Sequence, residues 1–87
     1  MSKIPLDIQK LANSRDFQPS VRIGKSGITD SLVQEIDEQL SRKELVKIKI
    51  NRGLFQREQI KQVWQHLSTE TNSNIVISRG NVCVLWR

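Results

Sequence analysis

Apolar residues recur with helical spacing in three stretches of the chain and alternate with polar residues in the segments between and after them. The first helix should end near Ser14 or Arg15 and the third between Glu70 and Asn72. Thr29 is suited to cap the second helix, since its hydroxyl can accept a hydrogen bond from a free backbone N–H. The apolar faces of the three predicted helices are Ile4, Ile8, Leu11 and Ala12; Leu32, Val33, Ile36 and Leu40; and Ile60, Val63, Trp64 and Leu67.

The remaining segments read as strands. In "SVRIG", Val21 and Ile23 point one way and Arg22 the other. The tail "NIVISRGNVCVLWR" predicts two strands joined by a tight turn at residues 80–81. The alternation in "ELVKIKIN" predicts one buried and one solvent-exposed face, formed by Val46, Ile48 and Ile50 against Lys47, Lys49 and Asn51.

The predicted order αβαβαββ indicates a small α/β domain (an α+β two-layer arrangement) with a mixed four-stranded sheet packed against amphipathic helices. Each strand–helix–strand unit should cross over with a right hand, and the last two strands should be antiparallel. With 87 residues, the chain is long enough for one domain, expected to span 1–87, and too short for two.

The charge balance points to a polyanionic partner. The formal net charge is +5 and the pI is near 9.9, which is a strong bias for so short a chain. Cys83 is the single cysteine, so no internal disulfide can form, and we expect it to pack as a small apolar residue. The N-terminal "MSKIPLDIQK" lacks the apolar core of a signal peptide, and no stretch approaches membrane-spanning length. We therefore expect a cytoplasmic monomer without a membrane partner.

The segment "VRIGKSGITD" places Gly24 and Gly27 on either side of Lys25 and Ser26, between a strand and a helix. A nucleotide-binding P-loop would need another glycine where Pro19 stands, which excludes that interpretation. Two interpretations stay open. The glycines can serve a tight turn that needs positive φ. Alternatively, they let a sugar-phosphate backbone approach the main chain while the lysine and serine bind it, as in the G-x-x-G loop of KH domains.

Other basic residues have two interpretations each. Lys47 and Lys49 would contact a nucleic-acid backbone or simply form a solvated strand face. Phe55, between Arg52 and Arg57, would stack on a base or pack against the start of the third helix. Arg22, Arg79 and Arg87, near strand ends, would extend a basic patch. The candidate nucleic-acid-binding residues are Arg22, Gly24, Lys25, Ser26, Gly27, Lys47, Lys49, Arg52, Arg57 and Arg79.

Catalysis and metal binding find no support in the sequence. His66 is the single histidine, is offset from the apolar stripe of its helix and should be exposed. One histidine and one cysteine are too few for a zinc site. Glu35, Asp37 and Glu38 lie among polar residues and not in an apolar pocket of the kind that holds a catalytic acid or base. We expect no catalytic residues, no metal and no cofactor, and hence no enzyme. No helix combines a basic face with the Asn, Gln and Arg side chains that proteins use to read bases in the DNA major groove, so the sequence favours RNA over DNA as the partner.

The segments "VRIGKSGITDSLVQEIDEQL", "ELVKIKI" and "SRGNVCVLWR" together resemble the CRM domain, the chloroplast RNA splicing and ribosome maturation domain, also called YhbY-like. Members carry a strand that ends in a G-x-x-G loop, a Thr-capped helix with "EI" in its middle, an "ELVKVK"-like strand and a final hairpin that closes with an aromatic residue and an arginine. The turn "NRGLF" departs from this pattern.

The resemblance implies a fold similar to the C-terminal domain of a bacterial initiation factor. It also implies binding of structured RNA, ribosomal RNA during assembly of the large subunit, through residues 24–27 and the adjoining basic surface. The alternatives are an adaptor that docks on ribosomal proteins and a cofactor of intron splicing.

Overall fold

A computed structural model describes residues 4–87. Residues 1–3 lie outside the described residues. They are part of the domain expected to span 1–87 and of the N-terminal stretch that lacks the apolar core of a signal peptide. The elements follow the predicted order: α1 Leu6–Ala12, β1 Val21–Ile23, α2 Asp30–Arg42, β2 Leu45–Ile50, α3 Arg57–Glu70, β3 Asn74–Arg79 and β4 Val82–Trp86.

The four strands form one mixed sheet in the order β1-β2-β4-β3. β1 and β2 are parallel, and β4 is antiparallel to both of its neighbours. The hairpin turn therefore inserts β4 between β2 and β3. As a consequence, β1, β2 and β3 all finish at the same end of the sheet, where β4 begins. The connections after β1, after β2 and between β3 and β4 meet at that end.

The main core lies between one face of the sheet and the helices α2 and α3. Thr29 caps α2 as predicted, and its Oγ1 accepts a hydrogen bond from the backbone N–H of Leu32 at 3.1 Å. The predicted apolar faces of these two helices supply six of the core's thirteen buried members, whereas Val33 and Ile60 are only half-buried. The buried members of this core are Val21, Ile23, Leu32, Ile36, Leu40, Val46, Ile48, Ile50, Val63, Trp64, Leu67, Cys83 and Leu85.

The opposite face of the sheet is partly covered by α1, which corrects two expectations. A second apolar cluster joins Ile8 and Ala12 to Leu45 and Val84. The second face of β2 is therefore not uniformly exposed to solvent, since Leu45 is buried. The helix is also shorter than predicted, and Leu11, predicted on its apolar face, is 55% exposed.

A buried glutamine on α2 was not predicted. Gln39 is only 8% exposed and accepts a hydrogen bond from the Ser20 hydroxyl at 2.5 Å. The contact links α2 to the residue that precedes β1. A pattern of apolar positions cannot reveal such a site, because the partner is 19 residues away.

The C-terminal arginine lies at the far end of the sheet, so its predicted place in a basic patch is wrong. The Arg87 guanidinium forms an ion pair with Asp37 and donates to the Thr71 carbonyl at 2.8 Å and to the Ser41 hydroxyl at 3.0 Å. It ties β4 to the end of α3 and to the C-terminal half of α2.

Candidate nucleic-acid interface

The loop of residues 24–27 forms a tight turn in which the Gly27 N–H donates to the Gly24 carbonyl at 2.9 Å. Lys25 and Ser26 occupy the two corners and are exposed. Gly27 has a φ of +69°, a conformation that residues with a side chain rarely adopt. The turn therefore needs a glycine at its last position.

Gly24 is not required by the turn. Its φ is not positive, and a Cβ added there would meet only the Asn51 side-chain Nδ2 at 3.6 Å, an ordinary contact. The interpretation of the two glycines as turn residues thus accounts for Gly27 and leaves Gly24 unexplained. A side-chain-free position that the fold does not need is the property expected where another molecule approaches the main chain.

A row of basic side chains crosses the sheet beside this loop, on the face that α1 only partly covers. Arg22 on β1 lies opposite Lys49 on β2, Lys49 lies opposite Val82 on β4, and Val82 lies opposite Arg79 on β3. Neighbouring strands are roughly 4.8 Å apart, so this row sets three cations across about 14 Å of sheet. These three residues are candidates from the sequence, but only the strand order aligns them.

Further cations join this row from the loops at the same end. Arg52 follows β2, Arg57 begins α3 and Lys25 belongs to the turn. All of these side chains are exposed, and the single ion pair among residues 4–87 joins Arg87 to Asp37 at the far end of the sheet. We call this region the cationic end, defined by Arg22, Lys25, Lys49, Arg52, Arg57 and Arg79.

Carboxylates are fewer at the cationic end. Asp30 and Glu58 lie in the first turns of α2 and α3, and Glu35 borders the depression beside the loop. Both helices begin at this end, so the partial positive charge of each N-terminus adds to that of the side chains. The surface is positively charged, because the six cations of this end outnumber these three carboxylates.

Lys47 differs from the other candidates. It is half-buried, its Nζ donates to the Phe17 carbonyl at 2.9 Å, and it lies 5.8 Å from the centre of the Phe17 ring. These contacts hold the segment before β1 against β2. The structure thus gives Lys47 a role in the fold, and its contact with nucleic acid stays a prediction.

Phe55 packs against the core, and its stacking on a base stays a prediction. The side chain is half-buried and packs against the main core, as expected for a residue that precedes α3. Its remaining surface lines a cleft beside Arg57, Ile60 and Trp64. One part of the Phe55 side chain is therefore packed in the core, and another part borders the cleft.

The groups that could support other chemistry lie away from the cationic end or are inert. Cys83 is buried, and burial raises the pKa of its thiol to about 12. His66 is exposed, as predicted. Within residues 4–87, no group of three or more His, Cys, Asp or Glu side chains is placed to bind a metal. No helix in that range combines the length and apolar character needed to cross a bilayer.

Two proteins are similar to this chain in sequence. The chain is 29% identical over 76 residues to the probable RNA-binding protein YqeI of Bacillus subtilis, covering 87% of this chain and 77% of the relative. It is 26% identical over 76 residues to the probable RNA-binding protein MJ0652 of Methanocaldococcus jannaschii. That match covers 87% of this chain, which spans only 56% of the length of the archaeal relative.

A solved structure gives the same result. The chain superimposes with a TM-score of 0.73 and 30% identity on the solution structure of the hypothetical protein SAV1595 from Staphylococcus aureus, described as a candidate RNA-binding protein. The match covers 93% of this chain and 80% of that one. The sequence model of the CRS1 / YhbY (CRM) domain matches residues 8–87. On this evidence, the chain belongs to the CRS1/YhbY (CRM) domain family.

Proposed function

We propose that this protein binds RNA through its cationic end, with the sugar-phosphate backbone against residues 24–27. The observation that carries the proposal is the excess of positive charge at the end of the sheet that holds the loop, where six exposed cations lie with three carboxylates. The relatives are named for RNA binding and not for a reaction, which agrees with the expectation that the chain is not an enzyme.

Each part of the loop has a distinct task in this proposal. Gly24 lets the backbone of the RNA approach the main chain, the Lys25 ammonium neutralises a phosphate and the Ser26 hydroxyl donates to a phosphate oxygen. The free N–H groups at the start of α2 face the same corner and add partial positive charge. Arg22, Lys49 and Arg79 extend the contact along the strand of RNA across the sheet.

A charge reversal in the loop tests this proposal. The double variant Lys25→Asp with Ser26→Asp should lose measurable RNA binding while its melting temperature stays nearly unchanged, because both side chains are exposed. A matched control, Lys43→Asp with Gln65→Asp, makes the same change in net charge at exposed positions away from the loop and should retain most of the affinity. Equal affinity of the two variants would show that residues 24–27 are only a turn.

The RNA that we propose is ribosomal RNA or its precursor during assembly of the large subunit, as implied by the resemblance to small members of the family. Crosslinking in cells followed by sequencing of the attached RNA should then enrich large-subunit sequences. Enrichment of intron sequences would favour the splicing alternative. Co-sedimentation with ribosomal particles that persists after ribonuclease treatment would favour the adaptor on ribosomal proteins.

A further inference from the structure

A cleft next to the cationic end has the size and the lining of a ligand site. Contacts between the cationic end and phosphate groups would not occupy this cleft. It lies between the first half of α3 and the turn of the β3–β4 hairpin and encloses about 490 Å³. This volume falls within the roughly 300–1,000 Å³ of small-molecule sites in proteins. The apolar lining comes from Phe55, Ile60 and Trp64.

The rim of the cleft carries cations and no carboxylate. Arg57 and Lys61 lie four positions apart on α3, so they share one face of the helix. Both are exposed, and no carboxylate is among the residues that line the cleft. A ligand with an apolar ring and an attached negative charge would find complementary surface in both places.

The wall formed by the hairpin carries polar groups that could form hydrogen bonds with the edge of such a ring. Ser78 and Asn81 line the cleft from the hairpin, and the Asn81 side chain is fixed in place by its hydrogen bond to the Ile50 carbonyl at 3.1 Å. The indole N–H of Trp64 is the one buried side-chain polar atom within residues 4–87 that lacks a hydrogen-bond partner. Because this nitrogen is itself buried, the indole contributes apolar surface to the cleft and not a donor.

The cleft is also placed within reach of the loop. Phe55 borders both this cleft and a shallow depression that contains Ile28, the residue directly after Gly27. A strand of RNA that lies on residues 24–27 therefore passes the Phe55 ring as it leaves the loop.

We propose that this cleft binds one unpaired base of a single-stranded RNA segment, which stacks on Phe55 while Arg57 and Lys61 bind the adjacent phosphate. The inference rests on the proposed RNA binding and adds a requirement to it, because a base held in a duplex cannot enter the cleft. Any base can stack on an aromatic ring in this way, so the site would distinguish single-stranded from double-stranded RNA but would not distinguish one base sequence from another.

The test compares the two phenylalanines of the chain with two RNA probes. Phe55→Leu should weaken binding of a short oligouridylate by about 5- to 150-fold and leave binding of a blunt duplex RNA unchanged. Phe17→Leu is the matched control, since Phe17 is also half-buried but packs in the second cluster, and it should keep full affinity for both probes. If Phe55→Leu does not fold, Lys61→Gln, at an exposed position of the cleft outside the cationic end, should show the same selective loss.

Fluorescence supplies an independent measurement. In a Trp86→Phe background, Trp64 is the single tryptophan and lines the cleft, so oligouridylate should quench its emission with saturation and the duplex should not. Salt-sensitive RNA binding without quenching, and without a selective effect of Phe55→Leu, would overturn the base site and leave the proposed function standing. Failure of both probes to bind the unmodified protein would overturn both.

Discussion

At the scale of single residues, the two glycines of the loop have different physical reasons to be glycine. Gly27 has a φ of +69°, so Gly27→Ala should cost about 1 kcal/mol of unfolding free energy. Gly24 has room for a methyl group 3.6 Å from the nearest atom, so Gly24→Ala should change stability by less than about 0.5 kcal/mol. Urea titration of both variants measures these effects.

The same substitution at Gly24 separates the fold from the interface. A methyl group there would stand between the main chain and an approaching phosphate, so Gly24→Ala should weaken RNA binding although the protein is as stable as before. An affinity equal to that of the unmodified protein would show that the backbone of the RNA does not approach this position.

Cys83 provides a second prediction at this scale. Burial raises the pKa of its thiol from 9.0 to about 12, because the core disfavours the thiolate. The folded state therefore holds this proton more tightly than the unfolded state does, and the stability contributed by the neutral thiol falls as the pH rises from about 9 towards 12. Alkylation by iodoacetamide at pH 8 should be slower in the native protein than in urea by at least about 100-fold. Comparable rates would contradict the burial of Cys83.

At the scale of elements, β2 carries two lysines with different tasks. Lys47 donates to the Phe17 carbonyl and lies against its ring, so Lys47→Ala should cost about 1–2 kcal/mol of unfolding free energy. Lys49 is exposed on the basic row, so Lys49→Ala should leave stability unchanged and reduce the slope of log affinity against log salt by about one unit. Calorimetry measures the effect on stability, and binding titrations at several salt concentrations measure the slope. A loss of stability in Lys49→Ala together with an unchanged stability of Lys47→Ala would contradict the different tasks of the two lysines.

Periodicity predicted the elements well because the main core is built from regular apolar stripes. Val46, Ile48 and Ile50 alternate along β2, and all three are buried. The errors arise where one element contacts a segment distant in sequence. Leu45 is buried by α1 and Gln39 by Ser20, and neither contact leaves a local pattern in the sequence.

The candidate site was predictable in its residues and not in its arrangement. Arg22, Lys49 and Arg79 are each visible as basic residues in or near a strand, but 27 and 30 positions separate neighbouring members of this set along the chain. Their alignment follows from the insertion of β4 between β2 and β3, which depends on the packing of the whole sheet. Lys47, two residues from Lys49, was indistinguishable from it in sequence and has a different environment.

At the scale of the whole molecule, charge is separated between the two ends of the sheet. The cationic end holds six exposed basic side chains and three carboxylates, whereas at the far end the Arg87 guanidinium is paired with Asp37. Unpaired charges in water retain their field over about 8 Å at physiological ionic strength, so neighbouring cations at one end act together on an approaching polyanion. Net charge alone would not orient the protein on RNA, whereas this separation would.

The most direct test of this account compares the loss of three positive charges at the cationic end with the loss of three positive charges at the far end. The triple variant Arg22→Ala, Lys49→Ala and Arg79→Ala and the triple variant Arg15→Ala, Arg42→Ala and Lys43→Ala remove the same net charge from exposed positions. Arg15 belongs to the far end, because its neighbours Ser14 and Asp16 line a groove with Lys43. The account predicts that the slope of log affinity for single-stranded RNA against log salt falls by about 2 for the first variant and changes little for the second. Equal slopes for the two variants would contradict it.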